Sequence, residues 1–348
     1  MSKPLLKEGG PHKIRKTGTE RYTYSISLPM DDYGRVGRQC PNKLCSPGYF
    51  KVKIGTGITG GQKVAYCPYC RHQEEPNGFA TNEQARYAKD IVMRETQKSI
   101  QDAIGHSFGM GSSGSKKIGS GMFSIEMKYE PGSLPNVRHP FEEEIQRAII
   151  CPKCGLDHAV FGIAVWCADC GKDIFLTHVQ TELAVVSLML SDVARRRTDL
   201  GHRVAARDLE NCLEDTVSIF EAVLKALVIR HHKIVGRTVE EIQRYMKKVG
   251  TTFQNLERTA YFLATEFNIA INDGIPSGLI PKLRSTYEKR HPITHNLGVV
   301  DRKYLERSLS STKEGREIRV TIEEIESAII ATQELLKSLH ARLIGSQE

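Results

Sequence analysis

The 348-residue sequence has no run that approaches the roughly 18 consecutive apolar residues of a membrane-spanning helix. Its first ten residues carry positive charge but no apolar stretch with a cleavage signature, so we expect no secretory signal. These absences favour a cytoplasmic protein. In a reducing compartment, pairs of cysteines point to metal binding or catalysis rather than to disulfides.

Nucleotide-binding loops are also missing. Gly109-x-Gly111-x-x-Gly114 superficially matches a dinucleotide fingerprint, but it follows a helical pattern and lacks the required strand–helix–strand context. It fails as a phosphate-binding P-loop as well, because Ser115 occupies the lysine position. The Gly- and Ser-rich stretch 107–121 therefore predicts a flexible linker.

Positive charge is concentrated near the N-terminus. The formal net charge is +8, and residues 1–72 hold 13 Lys and Arg against 4 Asp and Glu. Two tetrathiolate sites holding divalent ions would bring the loaded protein to about +4 and leave the N-terminal stretch basic. Such a patch favours a polyanionic partner, nucleic acid first, although a merely soluble basic surface is the alternative.

Composition and periodicity predict an α+β multidomain chain: two small β zinc-ribbon-like modules followed by an all-α bundle of five or six helices. The expected segments are a basic disordered arm (1–20), a first zinc module with a helix (21–105), a linker (106–144), a second zinc ribbon (145–176) and a helical domain (177–348). Helices are expected near 82–104, 179–197 and 206–230, and capping signatures mark three further starts, at Thr238, Thr251 and Thr321.

The stronger zinc signal is Cys151-Pro-Lys-Cys154, followed by Cys167-Ala-Asp-Cys170. Each Cys-x-x-Cys turn places two thiolates on one edge of a tetrahedron, and the separation of the two pairs is that of a zinc ribbon. Redox chemistry is the competing interpretation, but two pairs at this separation favour zinc.

The other zinc site combines Cys40-Pro-Asn-Lys-Leu-Cys45 with Cys67-Pro-Tyr-Cys70. His72 and His158 lie nearby as substitute ligands, but four cysteines already complete each shell. Because a closed shell leaves no open position, we expect two structural Zn²⁺ ions and no catalytic metal. Cys212, without a partner, is expected to be an ordinary buried thiol.

Basic and aromatic residues surround the first site. This mixture suits single-stranded nucleic acid, but the aromatic side chains could equally cover the small ribbon core. The residues are Lys43, Lys51, Lys53, Lys63 and Arg71, interleaved with Tyr49, Phe50, Tyr66 and Tyr69.

The most informative part of the helical region is Arg290-His291-Pro-Ile-Thr-His295, an Arg-x4-His pattern after an amphipathic segment. Pro292 should break or kink that helix and leave the charged side chains at a junction. Arg197 and His202 match the same pattern, but Asp199-Leu-Gly201 between them is typical of an interhelix turn.

Residues 179–345 resemble the HEPN superfamily of all-α domains, whose ribonuclease members carry Arg, a polar residue and then His. The stretch Asn296-Leu-Gly-Val-Val-Asp301 is also similar to the family's continuation. The resemblance implies catalytic roles for Arg290, His291 and His295, a homodimer, and metal-independent RNA cleavage. Some members have a tyrosine two residues after the His, which a partner enzyme modifies. Here that position is Leu297, so such regulation is not expected.

The chemistry of these side chains agrees with that expectation. Histidine titrates near neutrality and can act as base or acid, while arginine can clamp two phosphate oxygens. RNA cleaved by its own 2′-hydroxyl gives a 2′,3′-cyclic phosphate and a 5′-hydroxyl, whereas DNA lacks that hydroxyl.

The leading hypothesis is thus an RNA endonuclease whose zinc modules bind nucleic acid or a partner. The family resemblance further implies a toxin or anti-phage defence effector, with which a neutralising antitoxin or regulatory partner is compatible. The alternative is a non-enzymatic zinc-ribbon scaffold that binds nucleic acid and dimerises through its helices.

Overall fold

The computed structural model describes residues 6, 8–19, 21–111, 113–119, 123–141, 143–145, 147–308 and 311–345. The chain divides into two compact units. The sheet unit comprises Met1–Phe161 with Cys167–Gly171, and the helical unit comprises Gly162–Trp166 with Lys172–Glu348. Small antiparallel sheets thus come first and a helical part follows, which confirms the expected α+β class.

The sheet unit contains short strands and one long helix. The strands are β1 (Arg15–Lys16), β2 (Tyr22–Thr23), β3 (Arg35–Gln39), β4 (Tyr49–Lys53), β5 (Ala65–Tyr66), β6 (Gln73–Glu74), β7 (Gly114–Ile118), β8 (Ile125–Tyr129), β9 (Ala148–Ile150) and β10 (Asp157–Val160), and the helix is α1 (Asn82–Ser107).

A four-stranded antiparallel sheet forms the centre of this unit, in the order β3-β4-β10-β9. The side chains on one face of this sheet pack into the core: Val36, Phe50, Ile149 and Val160 are each at most 2% exposed. Phe79 packs its ring edge-on against Phe50 with centroids 5.8 Å apart. Arg35, Lys51 and Ala159 on the opposite face are buried as well, so the sheet is covered on both faces.

Helix α1 begins at a capping box with the Thr-x-x-Gln signature, which was not among the predicted helix starts. The amide of Gln84 donates to Thr81 (3.1 Å), and the Gln84 side chain accepts from the Thr81 amide (3.2 Å). The Gln84 side-chain amide also donates to the carbonyl of Gly37 (2.8 Å), so the cap attaches the helix to β3.

Two segments differ from the expected arm and linker. In the arm, β1 pairs with β2, which lies just after the arm, and the Glu8 side chain accepts from the Lys16 amide (2.7 Å). In the linker, β7 pairs with β8 over five residue pairs. Gly105 is required where this hairpin meets α1, because a Cβ there would lie 1.7 Å from the carbonyl oxygen of Gly111. Composition alone did not reveal these backbone pairings.

The helical unit is built from helices of very unequal length. They are α2 (Phe175–Leu200), α3 (His202–Ile234), α4 (Val239–Val249), α5 (Leu256–Phe267), α6 (Leu279–Glu288), α7 (Arg290–Asn296), α8 (Arg302–Arg307) and α9 (Ile322–Ile344). In the described part of the unit there are therefore eight α-helices rather than five or six, because α7 and α8 are too short to show a period.

Helix α3 is the central element of the helical unit. Its apolar stripe includes Leu213, Phe220, Leu224 and Leu227, all fully buried. It packs against α2 and α9 and also contacts α4 and α7. The 3.6-residue period predicted this helix, and the observed bounds extend it by about one turn at each end.

Two of the three predicted capping boxes are confirmed, at Thr238 with Glu241 and at Thr321 with Glu324. The third is wrong. Thr251 makes no cap and precedes a single 3-10 turn, and α5 instead begins after Asn255, whose side chain accepts from the Arg258 amide (2.9 Å).

Among the described residues, none of the helices combines the length and the apolar content that crossing a membrane would require.

We predict that acid destabilises the helical unit through buried histidines. Burial lowers the pKa of His232 and of His340 below 6.5. The unfolded chain then binds more protons as the pH falls through 6.5 toward the folded-state values, so stability is complete above that window and is lost within it. Replacing His232 with Phe keeps the ring contact with Tyr245 (4.4 Å) but removes one titrating group.

The measurement is the thermal midpoint of the full chain between pH 7.5 and 5.5. The His232→Phe variant should show a smaller acid-side decrease than the wild type, and His202→Phe, at an exposed position, is the matched control. An equal decrease in all three proteins would contradict the prediction.

Candidate metal centres and active site

The first candidate metal centre gathers Cys40, Cys45, Cys67 and Cys70, whose sulfur atoms all lie within 4.8 Å of one another. The Sγ atoms of Cys40 and Cys70 are 3.7 Å apart, and those of Cys45 and Cys67 are 3.6 Å apart. A tetrahedral ion with metal–sulfur bonds of about 2.3 Å requires edges of about 3.8 Å. The spacing of these sulfurs therefore fits a single bound metal ion.

The second candidate centre gathers Cys151, Cys154, Cys167 and Cys170 with the same geometry. The Sγ distances are 3.7 Å between Cys151 and Cys170 and 3.5 Å between Cys154 and Cys167. The two clusters could thus hold two structural metal ions and fit zinc-ribbon-like modules.

Each Cys-x-x-Cys turn closes in the same way. The residue after the second cysteine has a positive φ, 63° at Arg71, 75° at Gly155 and 62° at Gly171. Its amide donates to the carbonyl of the first cysteine at 3.0, 2.9 and 3.1 Å respectively. Glycine adopts this conformation without strain, whereas Arg71 is a non-glycine residue with the same positive φ.

The wider Cys40–Cys45 loop uses a different turn. The Asn42 side chain accepts from the Leu44 amide (3.0 Å), and the Cys40 amide donates to the carbonyl of Gly48 (2.9 Å). A Cβ at Gly48 would lie 2.8 Å from the carbonyl oxygen of Cys45. Two extra residues between the cysteines are therefore accommodated by an Asx turn and one close backbone approach.

The ionisation of the four thiols in the first centre favours binding of a cation. The thiol of Cys45 raises the pKa of Cys67, whereas the thiols of Cys45 and Cys67 lower that of Cys70 to about 2. Mutual repulsion opposes ionisation of all four sulfurs together. A divalent ion at their centre would remove that repulsion, so metal binding and thiol ionisation are linked here.

The two histidines considered as substitute ligands lie outside both clusters. The His72 ring is 3.9 Å from the Glu74 carboxylate. His158 is fully buried in β10, opposite Val52 of β4. Cys212 is also fully buried, and burial raises its pKa to about 11, as expected for an unreactive core thiol.

The two centres are parts of one structure rather than separate modules. The strand after Cys45, β4, pairs antiparallel with the strand after Cys154, β10, so the two ribbons are joined at the middle of one sheet. The second knuckles also touch, since the Tyr66 amide donates to the carbonyl of Ala168 (2.7 Å). A Cβ on Gly171 would lie 2.8 Å from the Tyr66 ring.

A glycine-rich loop adds a further connection between the two centres. The amide of Ile58 donates to the Asp169 carboxylate (2.9 Å), and so does the side-chain amide of Gln62 (3.2 Å). Gly57 permits this approach, because a Cβ there would lie 2.1 Å from the same carboxylate.

Several basic side chains near the first centre are paired with acids. Lys51 is 3.1 Å from Asp31, and Arg35 is 2.8 Å from Asp157, which also lies 3.8 Å from Lys53. Lys43, Lys63 and Arg71 are exposed. Nucleic-acid binding by this region remains a prediction, with fewer available cations than the sequence suggested.

The aromatic residues of the same region are occupied in packing. The Tyr69 hydroxyl donates to the carbonyl of Tyr49 and accepts from the Phe161 amide, both at 2.8 Å. Phe50 is buried. These contacts favour a role in covering the ribbon core over a role in stacking on bases.

The Arg–His segment lies at a helix junction, as Pro292 predicted. Helix α6 ends at Glu288 and α7 begins at Arg290. Lys289, between them, donates to the carbonyl of Arg319 (2.9 Å) and pairs with Glu324 (2.5 Å). As the third residue of α7, Pro292 forfeits no helical hydrogen bond.

One turn of α7 brings the two histidines together. The rings of His291 and His295 are 5.0 Å apart between centroids. The Nε2 of His291 lies 3.8 Å from the Asp301 carboxylate, which also accepts from the Asn296 side chain (2.8 Å). Burial, and next the charge of Lys303, lower the pKa of His291. The lowered pKa favours the neutral form of the His291 imidazole, which can accept a proton.

Arg290 begins the same helix and is half-buried. Its Nε is enclosed and has no hydrogen-bond partner among the described residues. His295 is exposed. The segment thus combines a guanidinium with an unused donor, a neutral imidazole and an accessible imidazole.

The other Arg-x4-His match lies at a turn between two helices, as expected. Arg197 is in the last turn of α2 and His202 starts α3, with Gly201 between the helices at a φ of 92°.

Asp301 is the neighbour that sequence reasoning did not assign to the site. Its side chain caps α8 by accepting from the Tyr304 amide (2.7 Å). An Asp followed three residues later by a buried apolar residue is an ordinary helix-start pattern. Its proximity to His291 arises from the turn that follows α7.

Comparison of the chain with known protein families, with curated proteins and with solved structures finds no match.

We predict that Gly171→Ala destabilises the sheet unit more than Gly155→Ala. Both positions have a positive φ, which costs an alanine roughly 1 kcal/mol. Only at Gly171 does the added carbon meet the Tyr66 ring, whereas a Cβ at Gly155 meets nothing within 4 Å. Overpacking adds about 1–3 kcal/mol.

The measurement is the free energy of unfolding of the metal-loaded chain in denaturant. Equal losses in the two variants would show that the knuckles are not packed together as described.

Proposed function

We propose that this protein is a metal-independent RNA endonuclease whose catalytic residues are Arg290, His291 and His295. The observation that carries the proposal is the meeting of two imidazoles, 5.0 Å apart, on helix α7, which begins at an arginine whose Nε has no partner among the described residues. Two imidazoles and a guanidinium can supply the base, the acid and the charge stabilisation that cleavage by the 2′-hydroxyl needs.

In the proposed reaction, neutral His291 takes the proton of the 2′-hydroxyl while the hydroxyl oxygen attacks the phosphorus. Arg290 binds the non-bridging oxygens, on which negative charge builds. His295 acts as the general acid and gives a proton to the departing 5′-oxygen. The bond from phosphorus to that oxygen breaks, and the products are a 2′,3′-cyclic phosphate and a 5′-hydroxyl.

Supporting contacts hold this arrangement. The Thr294 hydroxyl donates to Glu214 of α3 (3.0 Å), and Lys289 anchors the start of α7 to Glu324. The Asp301 carboxylate lies 3.8 Å from the Nε2 of His291, where it would stabilise the imidazolium that forms when His291 takes a proton. The site is open on the His295 side, and the HEPN resemblance supports a homodimer in which two copies of the segment face each other. A toxin or defence role rests on that resemblance alone.

For the eight cysteines we propose two structural zinc ions. Zinc prefers tetrahedral thiolate shells, and when bound it would close each four-sulfur group and stabilise the short strands around it. A closed shell leaves no place for substrate, so the zinc ions take no part in the cleavage.

We predict that the purified chain cleaves unstructured RNA in buffer without added divalent ions and that His295→Ala lowers the rate by about 10²–10⁴-fold, the usual contribution of acid–base catalysis. Arg290→Lys should also lower it, because lysine cannot bind two oxygens with one planar group. His202→Ala is the matched control and should cleave like the wild type.

The assay is gel analysis of labelled RNA, with the 3′ ends tested for cyclic phosphate. Metal content is measured before and after chelation, so that loss of structural metal is distinguished from loss of catalysis. RNA left intact by the wild type, or cleaved equally by His295→Ala, would rule the nuclease out and favour the non-enzymatic scaffold.

The zinc proposal is tested by elemental mass spectrometry of the purified chain. We expect about two zinc ions per chain and about one in Cys154→Ala, with no iron and no visible colour. Iron in place of zinc, or thiols that cycle reversibly to disulfides without loss of fold, would contradict it.

A further inference from the structure

The helical unit carries a positively charged surface on α4. Arg244, Lys247 and Lys248 are exposed and line one concave surface with Tyr245 and Arg237. The guanidinium of Arg237 lies over the Tyr245 ring, 5.3 Å from its centroid. Lys247 and Lys248 form no ion pair with a described residue, so both ammonium groups are available to an anion.

A second concave surface continues from there toward the Arg–His segment. It is lined by Arg258 and Tyr261 of α5 and by Arg307 of α8. The Tyr261 side chain is 74% exposed, which is unusual for a large aromatic ring. On α5, the neighbouring Phe262 lies 6.2 Å from the Tyr245 ring, so the two surfaces are adjacent. At the other end, Arg307 is the last residue of α8, and Asp301, which caps the start of α8, lies 3.8 Å from His291.

The acidic side chains on these surfaces are already engaged. Glu257 pairs with Arg284 (2.7 Å), and Glu266 accepts from the Tyr245 hydroxyl (3.0 Å). Glu241 accepts from the Thr238 amide (2.8 Å) in the capping box. Residues 172–348 hold 26 basic and 24 acidic side chains, so the excess of free cations here is local.

The geometry of α3 relates this surface to the Arg–His segment. Thr294 of α7 contacts Glu214, and Tyr245 of α4 packs on His232 (4.4 Å). The 18 residues from Glu214 to His232 make five full turns, so both contacts lie on one side of α3 about 27 Å apart. At about 3.4 Å per phosphate of a stacked strand, this is about eight nucleotides.

We propose that Arg307, Arg258, Tyr261, Arg244, Lys247 and Lys248 form a basic track that binds single-stranded RNA extending from the cleavage site at α7. Its use in cleavage rests on the proposed nuclease function, whereas the binding itself does not. Exposed cations contact successive phosphates and the Tyr261 ring stacks on a base, a combination that suits single strands of any sequence. A duplex would not offer its bases to Tyr261.

The first experiment measures binding by fluorescence anisotropy in the full-length, metal-loaded His295→Ala protein, which leaves the RNA uncut. The probe is a labelled oligouridine of about 20 nucleotides, long enough to span the ~8 nucleotides between the two sites. We expect Lys247→Ala/Lys248→Ala to weaken binding about tenfold and to reduce the slope of log affinity against log salt by about 1.4. The double variant Lys282→Ala/Lys337→Ala, at exposed lysines outside the track, is the matched control.

A second comparison tests stacking. Tyr261→Ala should weaken binding roughly 5- to 150-fold, whereas Tyr261→Phe, which keeps the ring, should bind like the parent. Polyglutamate of matched charge serves as competitor. If it competes as well as RNA and the two Tyr261 variants bind alike, the surface recognises charge alone, as for an acidic protein, and the proposal is overturned.

Cleavage by the otherwise wild-type chain distinguishes the two proposals. With the 20-nucleotide RNA the Lys247→Ala/Lys248→Ala variant should cleave more slowly, and with an RNA of about four nucleotides, too short to reach α4, it should match the wild type. If cleavage occurs but the substitutions change neither affinity nor salt slope, the track is wrong and the nuclease stands. If nothing is cleaved but the substitutions weaken binding as expected, the track stands and the nuclease fails.

Discussion

The fold of the first half of this chain depends on eight cysteine thiols, which are gathered into two groups of four. The strands of the sheet unit are two to five residues long, and such strands bury little apolar surface by themselves. The cysteines lie where those strands end: Cys40 follows β3, Cys67 follows β5 and Cys151 follows β9. Bringing their sulfurs to within 4.8 Å therefore also brings the strands into register.

The pairing of β4 with β10 has a consequence for both centres. Each ribbon contributes a two-stranded hairpin, and the two hairpins meet along their inner strands with opposite directions, so the arrangement is approximately two-fold symmetric. Loss of one cluster would remove the support of the other's inner strand. The pairs Lys51–Asp31 and Arg35–Asp157 lie on the second face of this sheet, where an unpaired cation would be costly to bury. The same pairs account for the small number of free cations near the first centre.

In the helical unit, α3 has the corresponding role. Its 33 residues give α2, α9, α4 and α7 a common surface, and this places a short, proline-containing helix beside a long rigid one. The break at Lys289 is stabilised by its pair with Glu324 at the start of α9. Because α7 is only seven residues long, the relative positions of His291 and His295 depend on these neighbours more than on α7 itself. The concave surfaces of α4 and of α5 with α8 lie next to each other for a related reason, since α4 and α7 contact one side of α3.

Much of this could be predicted from the sequence, because the determining interactions are local. Cys-x-x-Cys spacing, the period of the α9 and α3 stripes, the capping boxes at Thr238 and Thr321, and the break near Pro292 all depend on residues a few positions apart. The wrong capping box at Thr251 shows the limit of such signals. Thr251 has the sequence pattern, but the side chain that caps α5 is that of Asn255, four residues later. The hairpin Gly114–Tyr129 was missed because glycine and serine indicate flexibility unless a partner strand is known.

The sequence by itself determined which eight cysteines form the two clusters, where the long helices run and which segment carries Arg290, His291 and His295. Only the tertiary structure decided that the two cysteine groups share one sheet, that Lys51 is paired with an acid, and that Asp301 lies beside His291. It alone placed Tyr261 and Arg307 on a surface adjacent to that of the α4 lysines. The physical reason is distance along the chain: β4 and β10 are about a hundred residues apart, and side chains so far separated meet only when the whole unit has closed around its core.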